Sequence, residues 1–87
     1  MPRARYEPPP PELVRLGAAL KMLREERDLK QIEAASRADM TEGQISNIER
    51  GKNNPGWLVV MRLLKGLDAT LHDLLAAYEQ AGDHGNE

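Results

Sequence analysis

QIEAASRADMTEGQISNI, residues 31–48, is the stretch whose reading decides the fold of this chain. Residues 30–37 fit a short helix, and Ala38-Asp39-Met40 fits a turn. Thr41 then offers a hydroxyl N-cap for a second helix over residues 42–50. Gly51 closes that helix, as a left-handed residue after a helix C-terminus should. Two short helices joined by so tight a turn cross steeply, and they pack only if the residues between them are small or well shaped. Ala35 supplies the small one. Asp39 sits in the turn where a left-handed backbone is often needed, which Asp tolerates better than most non-glycine residues. Ile45 and Ile48, three apart, give the second helix one apolar stripe for the core. Its other face, Glu42, Gly43, Gln44, Ser46 and Asn47, is short, polar and rich in hydrogen-bonding groups. A helix of that kind fits a DNA major groove, where side chains near its N-terminus reach base edges.

Before this stretch, Leu13, Leu16, Leu20 and Leu23 recur at steps of three and four. They predict an amphipathic helix from Glu12, or from Pro11 in its first turn, to about Arg27. After it, Lys52-Asn53-Asn54-Pro55-Gly56 reads as a loop. A fourth helix is expected over residues 57–66, with Val60, Leu63, Leu64 and Leu67 facing inward. Thr70 caps a fifth over residues 71–80, which is expected to bury Leu71, Leu74, Leu75 and Tyr78. The domain division that follows is a flexible proline-rich arm at residues 1–11, one domain at residues 12–80 and a disordered tail at residues 81–87. The fold class is all-α, a compact five-helix domain with no internal repeat.

Composition agrees. Eighty-seven residues make one domain with a modest core. β-branched residues are few and do not alternate, which argues against strands. There is no cysteine, hence no disulfide and no thiolate metal site. No stretch is apolar for the roughly 18 residues that a membrane span needs, and the N-terminus lacks a signal-peptide core, so a cytoplasmic protein is expected.

Around the central stretch, Leu16-Gly17, Leu23-Arg24, Ile48-Glu49-Arg50-Gly51, Pro55 and Leu67 complete a pattern with Gln31, Ala35, Asp39, Ile45 and Ile48. This combination resembles the Cro and phage-repressor (XRE-type) helix-turn-helix family over about residues 13–75. The resemblance implies a DNA-binding transcriptional regulator. It further implies base contacts from Glu42, Gly43, Gln44, Ser46 and Asn47. Phosphate contacts would come from Gln31, Lys52 and Asn53, with Asn54 beside them, and Lys30, outside the family pattern, is read as a further one. Arg24 and Glu49 resemble a buried ion pair that ties the first helix to the third, a structural role and not a DNA contact. The partner implied is a double-stranded operator, with an inverted repeat if the protein is a homodimer.

Three positions depart from the family pattern. Lys30 stands where Ser or Thr usually caps the second helix, and its ammonium gains reach toward phosphate in exchange. Ala34 stands where Leu is common, which thins the core. Gly43 costs about 1 kcal/mol relative to Ala in a helix interior. It reads either as close approach to DNA or as tolerance in a short helix.

Charge speaks against strong nonspecific DNA affinity. The chain carries a net −2, and residues 24–52 hold six basic and seven acidic side chains. Glu42 either accepts from a cytosine amino group or repels phosphate. Arg3 and Arg5 in the arm either enter a minor groove or belong to a solvated tail. On the fourth helix, Leu58, Val59 and Met61 lie off the inner face and mark a candidate dimer interface, or a surface covered by the arm or tail. Trp57 is expected to anchor the edge of the core. Asp68 and His72 lack the third ligand that a metal would need, no nucleophile–base set appears, and neither an enzyme nor a cofactor is expected. A repressor is the favoured role, and an antitoxin binding a partner toxin fits the same domain. The rival is a protein-interaction adaptor that keeps the fold with weak DNA affinity.

Overall fold

Pro11 opens the first helix at the position where its missing N–H is not needed, and a computed structural model then follows the chain through five helices. It describes residues 8–85, with side-chain surroundings for residues 8–82. The helices are α1 (Pro11–Glu26), α2 (Gln31–Arg37), α3 (Glu42–Glu49), α4 (Gly56–Gly66) and α5 (Leu71–Gly85), and there is no strand among the described residues. Arg3 and Arg5 lie outside the described residues. None of these helices is long and apolar enough to cross a membrane.

One device ends the first four helices. A residue with a left-handed backbone follows each: Asp28 at φ 56°, Asp39 at 59°, Gly51 at 76° and Asp68 at 55°. The next N–H then turns back onto the helix, Leu29 to the Arg24 carbonyl at 3.2 Å, Met40 to Ala35 at 2.8 Å, Lys52 to Asn47 at 2.9 Å and Ala69 to Leu64 at 2.8 Å. Those bonds satisfy carbonyls that would otherwise lack partners, and the apolar residues Leu29, Met40 and Ala69 fold back against the core. Asp39 thus does what its place in the sequence suggests. Asp28 and Asp68 repeat the device with the same signal, an Asp before an apolar residue.

The core lies where the inner faces converge, with Leu20, Leu23, Ala35, Ile45, Ile48, Leu63, Leu64 and Leu67 buried. Ala34 lines a small void of about 10 Å³ together with Leu20, Arg24, Ile45, Glu49 and Leu63. At Gly17 the backbones of α1 and α3 come together. A Cβ there would overlap the carbonyl oxygens of Ile48 and Glu49, so only glycine permits the approach.

Helix α5 differs from its expected form in two ways. It runs to Gly85, five residues beyond the predicted end, because Arg15 on α1 holds its second half. The Arg15 Nε donates to the Tyr78 carbonyl at 2.6 Å, its guanidinium lies 4.2 Å from the Tyr78 ring centre, and it fills the space where a side chain on Gly82 would sit. The residues that α5 buries are Leu74 and Ala77, whereas Leu71 and Leu75, expected inside, are 42% and 55% exposed. The stripe facing α1 begins at Leu74, and on a 3.6-residue turn Leu71 and Leu75 fall to its flank. Thr70 does cap the helix. Its hydroxyl accepts from the Asp73 N–H at 3.0 Å while the Asp73 carboxylate accepts from the Thr70 N–H at 2.8 Å, and the latter bond holds that carboxyl below its ordinary range.

Candidate nucleic-acid interface

Helix α3 is placed from behind. Ile45 and Ile48 are buried, and Glu49 at its last turn joins a charged network inside the protein. The Arg24 Nε and one terminal nitrogen donate to the two Glu49 oxygens at 2.7 and 3.0 Å, a two-pronged pair, while the other terminal nitrogen donates to the Leu29 carbonyl at 2.7 Å. Hydrogen bonding to Glu49 outweighs burial and raises the guanidinium pKa above its ordinary value. Gln31 Nε2 adds a bond of 2.9 Å to Glu49. The network joins α1, α2 and α3, and no buried side-chain polar atom among the described residues lacks a partner.

The opposite face of α3 is open. Glu42, Gly43 and Gln44 are exposed, and Ser46 and Asn47 are half-buried. Thr41 starts the helix with a full capping box: the Gln44 N–H donates to its hydroxyl at 3.1 Å, and the Gln44 side-chain oxygen accepts from the Thr41 N–H at 2.9 Å. Gln44 is thus engaged through its oxygen, which leaves its two amide N–H groups for a ligand. The Thr-x-x-Gln spacing carried that signal in the sequence. At Gly43 the nearest atom to an added Cβ would be the Thr41 hydroxyl, 3.9 Å away, so nothing within the protein excludes a side chain there.

The residues read as phosphate contacts divide. Lys30, Lys52 and Asn53 are exposed. Lys30 has no acceptor atom, and α2 is capped only by Glu33, whose carboxylate takes the Lys30 N–H at 2.7 Å. The side chain of Gln31 instead turns inward to Glu49, so its removal would disturb the buried network as well as any outward contact. Arg50 is not among the residues read as DNA contacts from the sequence. Its side chain reaches back along α3 to the Ser46 carbonyl at 3.4 Å and to the Asn47 side-chain oxygen at 3.0 Å, and it is exposed.

On α4 the expectations need revision. Trp57 is no core-edge anchor but is 62% exposed, because it sits in the first turn of α4, ahead of the buried Val60-Leu63-Leu64 stripe. Leu58 is 72% exposed and Met61 is exposed too, whereas Val59 packs half-buried against the core. The outward apolar residues of α4 are therefore Trp57, Leu58 and Met61. No group of acidic or histidine side chains among the described residues has the arrangement of a metal site.

The fold that holds this helix pair is shared with known proteins. The family model described as "Helix-turn-helix domain" matches residues 15–78. The chain belongs to this family. Within it the chain falls in the Cro and phage-repressor-like class, whose members are DNA-binding transcription regulators and not enzymes. It is 34% identical over 70 residues to the HTH-type transcriptional regulator DdrOP3 of Deinococcus deserti, an alignment that takes in 80% of this chain and 54% of that protein. The chain thus spans about half the length of that relative. It is 35% identical over 68 residues to the control protein C.MunI of a Mycoplasma species, covering 77% of this chain and 92% of that one. Among solved structures, the clp gene regulator ClgR of C. glutamicum superposes with a TM-score of 0.77 at 25% identity, over 83% of this chain and 94% of that one. The helix-turn-helix reading and the all-α, five-helix fold are thereby established for this chain.

Proposed function

We propose that this helix-turn-helix protein is a repressor that binds an inverted-repeat operator in double-stranded DNA as a homodimer in the cytoplasm. One observation carries the reading: α3 is locked to the core through Ile45, Ile48 and Glu49 while its outer face keeps hydrogen-bonding groups exposed to solvent. A rigid helix with a polar front is what major-groove readout needs. Asn47, Gln44, Ser46 and the Gly43 backbone face the bases, Glu42 meets a cytosine amino group, and Lys30, Lys52 and Asn53 hold phosphates, with Gln31 contributing through its second amide N–H. The likeness to a transcriptional regulator, a control protein and a gene regulator supports the regulatory role. Support for the homodimer comes from Trp57, Leu58 and Met61 on α4 with Leu71 and Leu75 on α5, large apolar side chains left in solvent.

The adaptor reading has its own observations, a net charge of −2 and an exposed carboxylate, Glu42, at the start of α3. Selection of bound fragments from genomic DNA with the purified protein, followed by salt titration of the best site, separates the two. The repressor reading expects a short inverted repeat, binding that falls with salt, and weaker binding by Asn47→Ala at unchanged folding. No enrichment of any sequence at low salt would overturn it in favour of the adaptor. Gln31→Ala is a poor probe here, since it also strips a hydrogen bond from Glu49.

A further inference from the structure

Arg50 is the first residue after α3, and its side chain turns back onto the same stripe as Gly43, Ser46 and Asn47, which are three and four residues apart. A guanidinium has donors only, so the Asn47 atom 3.0 Å from it must be the amide oxygen. That contact sets the amide: Oδ1 faces Arg50, and the two N–H groups of Nδ2 make no hydrogen bond to the described residues. Among the described residues no carboxylate forms an ion pair with Arg50, unlike Arg24, which is spent on Glu49, and Arg27, which lies 3.6 Å from Glu26 and 3.7 Å from Asp73. The side-chain-free surface at Gly43 leaves this stripe unobstructed.

We infer that Arg50 and Asn47 act as one reading unit, a joined set of N–H donors that selects guanine at one position of each half-site. The inference rests on the DNA-binding reading above and adds to it the base and the residue that sets it. A free asparagine amide reads adenine, accepting from N6 and donating to N7. With its oxygen turned to Arg50, Asn47 offers donors beside the donors of the guanidinium, and guanine is the base that shows two acceptors, N7 and O6, in the major groove. Arg50 thus determines specificity twice, by its own donors and by the orientation it imposes on Asn47.

The test uses the full chain and three variants, Arg50→Ala, Arg50→Lys and Asn47→Ala, each checked for an unchanged helical spectrum and melting temperature. A random duplex pool is selected with each protein, and the best wild-type duplex is then titrated beside versions with single guanines replaced by adenine. The wild type is expected to prefer guanine over adenine by about tenfold or more at one position per half-site. Arg50→Ala and Asn47→Ala should both abolish that preference at the same position, with adenine gaining ground in Arg50→Ala. Arg50→Lys, which keeps the charge without the fork, should fail to restore it. The inference is overturned if Arg50→Ala weakens all duplexes alike and lowers the salt slope by about one, the signature of a phosphate contact. It is also overturned if the two alanine variants change different positions. Both outcomes leave the operator reading intact, whereas a wild-type protein that enriches no sequence overturns both.

Discussion

The two sides of α3 are built on opposite terms. The inner side holds Ile45, Ile48 and Glu49, in contact with α1 and α2 through close packing and a buried network of four charge-assisted or amide hydrogen bonds. The outer side of this eight-residue helix has Gly43 without a side chain, Gln44 tied only to the cap, and Asn47 tied only to Arg50. Stability is therefore concentrated behind the helix and chemistry in front of it. Recognition needs a helix whose position is over-determined, so that exposed side chains can be chosen for what they bind. Substitutions behind α3 should change folding, and those in front should change DNA binding.

The largest effect is expected at Glu49. Alanine there would leave Arg24, 8% exposed, as an uncompensated buried charge, and would strip the Gln31 amide of its acceptor. Breaking a buried pair from one side costs about 3–5 kcal/mol. That approaches the whole folding free energy of a domain this size, on the order of 5–10 kcal/mol. Urea unfolding of Glu49→Ala should show it. The double variant Arg24→Met/Glu49→Leu should recover most of the loss, since an apolar replacement of both partners removes the stranded charge. If the single variant unfolds within 1 kcal/mol of wild type, the network does not hold α3 and the contrast between its two sides fails.

A smaller loss belongs to Gly17→Ala, also behind α3. In a helix interior this substitution alone gains about 1 kcal/mol. Here the new Cβ meets the carbonyl oxygens of Ile48 and Glu49, which are backbone and cannot rotate aside, so α1 and α3 must part. Overpacking of this kind costs about 1–3 kcal/mol, and the net is a destabilisation readable as a lower urea midpoint. An unchanged or raised midpoint would mean that the two helices separate freely.

How much of this was legible in the sequence follows the range of each interaction. The stripe Ile45/Ile48, the small Ala35, the Thr41 cap and the left-handed Asp39 and Gly51 are local features, and each was readable from spacing. The Thr41–Gln44 box was equally local and was missed only in its second half. Arg15 holding Tyr78 links residues 63 apart, and no local pattern reports it. The phase of an apolar stripe is ambiguous when a helix is apolar on several sides. For that reason Leu71 and Leu75, expected inside, and Trp57, expected at the edge of the core, are found exposed, whereas the inward set Val60, Leu63, Leu64 and Leu67 was read correctly. Resemblance supplied the Arg24–Glu49 pair, which composition could not. It implied a phosphate contact for Gln31 but not the bond that its side chain also donates to Glu49.

The same substitution on the other side of the helix should have the opposite sign. Gly43→Ala adds a Cβ with no protein atom closer than 3.9 Å, so the helix keeps the propensity gain of about 1 kcal/mol and the urea midpoint rises. Nothing in the folded chain requires glycine at this position, which is neither at positive φ nor against a neighbouring helix. A residue that lowers stability without a structural use is explained if the bound partner needs the space. The operator backbone or a base edge approaching Gly43 would then collide with the methyl group, at a cost in the overpacking range of about 1–3 kcal/mol, or about tenfold in affinity. A more stable protein that binds its operator less well would place the DNA directly over Gly43. A more stable protein with unchanged affinity would show that the glycine is merely tolerated there, and would move the centre of the reading face toward Asn47 and Arg50.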